Sequence, residues 1–99
     1  MGELARVCEV EVIDRRTLRV TFTDNLVREL DLAPTLTGVL AALDADDAFA
    51  AVGVDTVTGT VCWPGGLDLD PDVLHGDRPA ASPAGAPRLI RQYRLEPTV

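Results

Sequence analysis

The sequence predicts one small α+β domain, made of a small antiparallel sheet and a few short helices. Its length of 99 residues suits a single domain. The first third alternates apolar and polar side chains in short runs, which is the period of half-buried strands. Farther along, two short helix signals lie on either side of another pair of strand-like runs.

The first runs predict a meander of three strands. Residues 8–12 alternate apolar with acidic side chains, and residues 18–22 alternate large apolar with polar side chains. The Asp-Asn pair at 24–25 tolerates the backbone of a two-residue hairpin turn, which leads into a third strand over residues 26–32. Arg28 falls on the leucine face of that strand, so its position conflicts with a simple alternation.

A short helix and a hairpin are predicted next. Asp44 or Asp46 is a suitable N-cap for a helix over residues 47–51, whose Phe49 would pack against the sheet. Residues 52–54 and 60–63 then predict two strands joined by a turn-rich connection.

A second short helix is predicted before the chain changes character. Asp70 suits its N-cap, Pro71 its first position and Gly76 its end. We therefore place a single α+β domain at residues 5–76. Residues 77–99 are predicted to be a linker, rich in proline and alanine, followed by a basic amphipathic tail that could form a helix or a strand.

Charge divides the chain in the same way. The formal net charge of −7 combines a body at −10, residues 1–77, with an end at +3, residues 78–99. All nine basic residues are arginine, and four of them lie in the end. An acidic body repels phosphate, so any nucleic-acid binding is expected only through the tail.

The titratable residues predict no catalytic, metal or cofactor site. Cys8, Cys62 and His75 lack the spacing of known metal motifs, and we expect both cysteines to lie in the core as small apolar residues. His75 follows a short helix, where a structural role near the helix end is the simpler interpretation. The alternating acids at 68–72 lack the glycine and the final acid of a calcium-binding EF-hand loop.

Two features stay open as interaction sites. Trp63 either packs over a small core or anchors a protein partner, and Asp68 belongs to the same segment. The tail either lies against the acidic surface of its own chain or docks into a partner. The tail side chains concerned are Arg88, Arg91, Tyr93 and Arg94.

Three segments resemble one bacterial family. They are residues 20–24, 30–34 and 61–74, the last reading Val-Cys-Trp-Pro-Gly-Gly-Leu-Asp-Leu-Asp-Pro-Asp-Val-Leu. Over about residues 6–76 the chain resembles the family called domain of unknown function 2442. The resemblance implies a three-strand meander, a short helix, a hairpin and a final short helix. It implies no catalytic residues. Some members resemble antitoxin-like or regulatory proteins, and others carry a helix-turn-helix domain for which too few residues follow here. Asn25 stands where the family usually has glycine.

These observations predict a non-enzymatic module that acts through protein contacts. The expected partner is a second copy of the chain or a cognate regulatory protein. A nucleic-acid regulator that uses the tail arginines is the alternative, and a small-ligand or enzyme domain that uses residues 63–72 is a third. No apolar run approaches the roughly 20 residues that span a bilayer, and no secretory signal is visible. We therefore expect a cytoplasmic protein without a membrane partner.

Overall fold

Two antiparallel sheets share one core in the computed structural model, which describes residues 5–76 and 86–96. Two 3-10 segments, Ala33–Thr35 and Gly38–Leu43, follow the third strand. The other elements of the described ranges are β1 (Val7–Asp14), β2 (Thr17–Phe22), β3 (Leu26–Asp31), α1 (Asp46–Ala50), β4 (Gly53–Asp55), β5 (Thr60–Trp63), β6 (Leu67–Asp68), α2 (Pro71–His75) and β7 (Arg88–Arg94). Small antiparallel sheets with a few short helices agree with the predicted α+β class.

The larger sheet has the strand order β1-β2-β3-β7, and the smaller has the order β4-β5-β6. The predicted meander is therefore present, and so is the predicted hairpin. A third short strand, β6, extends the hairpin. None of the helices in the described ranges is long and apolar enough to cross a membrane.

One face of the larger sheet supplies much of the core. Leu18 pairs with Leu30 and with Val12 across neighbouring strands, so apolar side chains lie side by side. The smaller sheet and the helices close the other side. The most deeply buried apolar side chains of this core are Leu18, Val20, Phe22, Leu30, Leu32, Phe49, Val61 and Leu74.

The turns and caps follow local rules. Asn25 has a φ of 71°, as the predicted hairpin turn requires. At α2, Asp70 accepts a hydrogen bond from the backbone N–H of Asp72 at 2.9 Å, Pro71 is the first helical residue, and Gly76 ends the helix at a φ of 95°.

The predicted cap of α1 is wrong. Ala45 occupies the N-cap position and makes no side-chain cap hydrogen bond. The two carboxylates instead hold Arg16, at 3.0 Å from Asp44 and 2.9 Å from Asp46. These ion pairs compete with capping, and they connect the start of α1 to the turn between β1 and β2. The local sequence does not reveal such a distant contact.

The expected burial of Cys8 is also wrong. The pairing of β1 with β2 shifts between Val7 and Glu9, so Val7 turns into the core and Cys8 is exposed. Its thiol contacts the carbonyl of Thr21 at 3.4 Å. Cys62 is half-buried, and both cysteines are free.

Arg28 occupies the inward position that the alternation made awkward. Its guanidinium donates to the carbonyl of Leu74 at 2.7 Å and to Gln92 at 3.0 Å. A Cβ atom at Gly76 would lie 2.9 Å from the same guanidinium. Arg28 therefore joins the end of α2 to β7, and the glycine leaves room for it.

Residues 88–94 of the predicted tail form β7 on the edge of the larger sheet. The sequence had left open whether these residues lie on their own chain, and here they pair with β3. The predicted linker falls mainly on residues 77–85, outside the described ranges, so the division at residue 77 stays a prediction.

Candidate functional site

Strand β7 is the best candidate for an interaction site because it lies at the end of the larger sheet. It runs antiparallel to β3, with Leu26 opposite Arg94 and Asp31 opposite Arg88. The register shifts between Glu29 and Leu30, which leaves one extra residue in β7. Because no other described strand follows β7 in the sheet, its second edge presents its backbone groups to an incoming strand.

A row of alternating charges crosses the outer face of the sheet, from Glu11 through Arg19 and Glu29 to Arg91. Arg19 donates to Glu11 at 2.9 Å and to Glu29 at 3.2 Å. The hydrogen bond to Glu29 raises the pKa of Arg19 above its ordinary value, although burial opposes this. Glu29 is only 7% exposed, so this pair is partly shielded from solvent.

Arg91 ends the row at the open edge. Its guanidinium lies 4.7 Å from the centre of the Tyr93 ring, a cation–π contact. Tyr93 stands opposite Val27, which is buried. Within residues 5–76 and 86–96, Arg91 makes no ion pair, whereas the other charged members of the row do.

The remaining two arginines of β7 bind the body. Arg88 contacts Asp31 at 3.3 Å. Arg94 donates to the carbonyl of Asp24 at 2.6 Å, and its guanidinium lies 3.8 Å from the Asp24 carboxylate. These contacts anchor both ends of β7 and leave Arg91 at its centre.

Asp24 also contacts the end of α2, through His75. Nε2 of His75 lies 2.7 Å from the Asp24 carboxylate, and the imidazole ring makes an edge contact with Phe22 at 4.8 Å. Burial raises the pKa of Asp24, but hydrogen bonds from His75 and from the backbone N–H of Leu26 outweigh burial and hold the pKa below 3.8. The expected structural role of His75 near a helix end agrees with this geometry.

Apolar side chains accompany the arginines along this edge. Leu89 is 45% exposed and Ile90 is 51% exposed, and Leu95 follows directly after the strand at 44%. An edge strand with exposed large apolar side chains is unusual in a chain that functions alone, because such edges invite pairing with other strands.

The structure separates the other two predicted site residues from β7. Trp63 lies on β5 of the smaller sheet and is 3% exposed. Its indole N–H donates to the carbonyl of Phe49 at 2.9 Å, and the two rings are 5.8 Å apart. These contacts support the core interpretation of Trp63. Asp68 is exposed on β6, where it stands opposite Cys62.

Two open clefts lie on the surface. One, of about 500 Å³, runs between β1 and β4 and is lined by Glu9, Glu11, Arg19 and neighbouring residues. The other, of about 340 Å³, lies beside the turn between β1 and β2 and contains Arg16. Neither is lined by Asp68. The described residues contain no group of three histidines, cysteines or acids placed to hold a metal ion.

The fold and this surface define a small α+β domain whose larger sheet ends in a basic strand, β7. The chain belongs to the family described as protein of unknown function (DUF2442), whose match covers residues 7–79. The predicted resemblance is thus confirmed. No curated protein and no solved structure matches the chain. The match ends before β7, so the fourth strand of the larger sheet comes from outside the family segment.

The sequence predicted the arginines and Tyr93 of β7 as site residues, but it did not predict the acids of the body beside them: Asp24 and Asp31, which form ion pairs, and Glu29, which stands opposite Arg91. The alternation of acids with apolar residues in β3 was visible. Its pairing with residues about 60 positions later was not, because cross-strand register depends on the folded sheet.

Proposed function

We propose that this chain is a non-enzymatic protein-interaction or regulatory module that binds its partner through β7. One observation carries the proposal: β7 is an edge strand that combines exposed Leu89 and Ile90 with Arg91. Backbone groups along such an edge supply affinity for an added strand, and the alternating side chains supply specificity.

Electrostatics favour a protein partner over nucleic acid. Asp31 lies against Arg88 and Asp24 lies against Arg94, so two of the three arginines of β7 already face carboxylates. Nucleic acid would have to bind through several arginines that neutralise successive phosphates. An added strand instead gains affinity from main-chain hydrogen bonds and needs only local charge pairing, such as Arg19 has between Glu11 and Glu29. An antitoxin-like role is the specific case in which the partner is a toxic protein that this chain neutralises.

Site-specific photocrosslinking in the native host tests the proposal. A photoreactive phenylalanine analogue replaces Ile90, which is half exposed on β7, and in a control it replaces Val57, which is 84% exposed between β4 and β5. We expect one discrete protein adduct from position 90 that is missing from position 57. Adducts that are the same at both positions, or none at position 90, would contradict the proposal.

The identity of the adduct then tests the antitoxin-like form. We expect expression of the captured protein alone to slow growth and co-expression of this chain to restore it. A captured protein with no effect on growth would contradict the antitoxin-like role and leave only the proposed interaction or regulatory module.

A further inference from the structure

Among the described residues, the row of charges on the outer face of the sheet ends at Arg91, and no strand lies beyond it. Its signs alternate from strand to strand: Glu11 is negative, Arg19 positive, Glu29 negative and Arg91 positive. Side chains directly opposite each other on neighbouring strands lie close enough for unlike charges to stabilise the pair and like charges to destabilise it. The next strand in this sheet would therefore place an acid beside Arg91.

Arg88, the next outward-facing arginine of β7, also favours an acid on the incoming strand. Arg88 lies on the same face of β7 as Arg91. In β3, Asp31 stands opposite Arg88 and Glu29 stands opposite Arg91. β3 thus shows on one side of β7 what the arginines accept: acids at alternate positions, with apolar residues between them. A strand on the free side meets the same arginines from the other direction.

We infer that the partner bound by β7 is an extended acidic segment of another protein, which adds to the free edge as a fifth strand with acids beside Arg91 and Arg88. This inference rests on the function proposed above and specifies its ligand. The exposed Leu89 and Ile90 would contact the apolar residues between those acids.

Charge argues against pairing between two copies of β7. The strand holds three arginines and no acid, so two such strands side by side would place like charges together. The acidic β1 of a second copy has the required alternation, with Glu9 and Glu11. However, β1 of one copy on β7 of the next is a head-to-tail contact, which builds open chains of molecules and not a closed dimer, and the Val7 N–H at one end of β1 already donates to the carbonyl of Gly59. A separate protein is therefore the occupant to which we commit.

Fluorescence anisotropy with defined peptides tests the inference on the full chain. The probe is a short labelled peptide of alternating valine and glutamate, and matched peptides carry glutamine or lysine in place of glutamate. We expect the glutamate peptide to bind at least about threefold more tightly than the glutamine peptide, the scale of one or two exposed ion pairs. Equal binding of the two peptides would overturn the inference.

Charge reversal locates the binding. Arg91→Glu is expected to weaken the glutamate peptide and to strengthen the lysine peptide, whereas Arg15→Glu, the same change on the exposed turn between β1 and β2, is expected to alter neither. Because a glutamate at 91 would face Glu29 and could loosen β7, Arg91→Gln provides a milder variant with a smaller loss. Weakening by both charge reversals alike would overturn the inference.

Hydrogen exchange distinguishes strand addition from simple charge attraction. We expect the glutamate peptide to slow amide exchange within residues 88–94 and to leave the turn at Val57 unchanged. Peptide binding without slower exchange in β7 would overturn the added strand. Displacement of the peptide by oligonucleotides at equal affinity would overturn it as well, by identifying nucleic acid as the ligand.

Sedimentation velocity examines a second copy as the occupant. We expect the chain to sediment as a monomer, and the glutamate peptide should not cause it to self-associate. Self-association abolished by Arg91→Glu would overturn it by showing that another copy covers the edge. A discrete photoadduct at position 90 together with no preference for acidic peptides would refute the acidic segment alone, since the proposed interaction module would still stand.

Discussion

Strands β2 and β7 flank β3 in the same sheet, yet the two differ in almost everything except backbone pairing. Both run antiparallel to β3 over a similar length. β2 has β1 on its other side and turns Leu18, Val20 and Phe22 into the core. β7 has no strand on its far side among the described residues, and all but Tyr93 of its side chains are exposed. Hydrogen bonds place both strands, but burial stabilises only β2.

This difference assigns separate roles to the two strands. A strand that buries little apolar surface opens at a lower free energy than the core does. We therefore expect β7 to move, when it binds the proposed partner, without unfolding the body. Its anchors are polar contacts, from Arg88 to Asp31 and from Arg94 to Asp24, which cost little to rearrange at the surface.

The largest expected effect comes from truncating β2 on its buried side. Phe22→Ala removes a ring that is 1% exposed and that contacts His75, so we expect a loss of about 3 to 5 kcal/mol in the free energy of unfolding. Urea denaturation followed by circular dichroism measures it. The matched change in β7, Ile90→Ala, should cost less than about 0.5 kcal/mol. Similar losses in the two variants would mean that β7 is as deeply packed as β2.

An intermediate effect is expected where β7 touches the body. Arg28→Ala leaves the carbonyl of Leu74 without its 2.7 Å hydrogen bond and releases Gln92, so we expect a loss of about 1 to 3 kcal/mol. Hydrogen exchange should become faster in both α2 and β7 and change less in β2. Arg15→Ala is the control on an exposed arginine. Unchanged exchange in β7 would show that Arg28 does not hold that strand.

The smallest effect concerns the turn that anchors the ends of α2 and β7. Because the pKa of Asp24 is lowered in the fold, its carboxylate stabilises the native state at neutral pH, and this contribution disappears as pH falls through and below 3.8. We expect Asp24→Asn to lower the urea midpoint slightly near neutral pH and to match the natural chain in acid.

Two side chains face the Asp24 carboxylate, His75 of α2 and Arg94 of β7. The same urea titration on Asp55→Asn provides a comparison, because hydrogen bonds from Thr58 and Val57 also lower the pKa of Asp55, far from β7. Only Asp24→Asn should speed hydrogen exchange at the end of α2. An Asp24→Asn difference that persists unchanged at low pH would contradict the assigned role of the carboxylate.

Local rules predicted most of the body. Alternation in residues 18–22 marked the inward face of β2, the Asp-Asn pair marked the hairpin turn, and the Asp70 and Pro71 signals marked α2. Each depends on neighbours within a few positions, so the residues carry the signal themselves.

Contacts between distant residues decided the rest. The register shift at Val7, which exposes Cys8, depends on how β1 pairs with β2. The ion pair of Arg16 with Asp44 and the hydrogen bond from Arg28 to Leu74 also connect separate elements. Local periodicity cannot predict these contacts.

The sequence by itself determined an acidic α+β body of this family and a basic, amphipathic end. Only the tertiary structure decided that the end becomes β7 and that its row of charges stops at Arg91. Arg88 meets Asp31 across 57 positions and Arg94 meets Asp24 across 70. Such pairing depends on register and on the packing that brings strands together, and neither can be read from the side chains within one short segment.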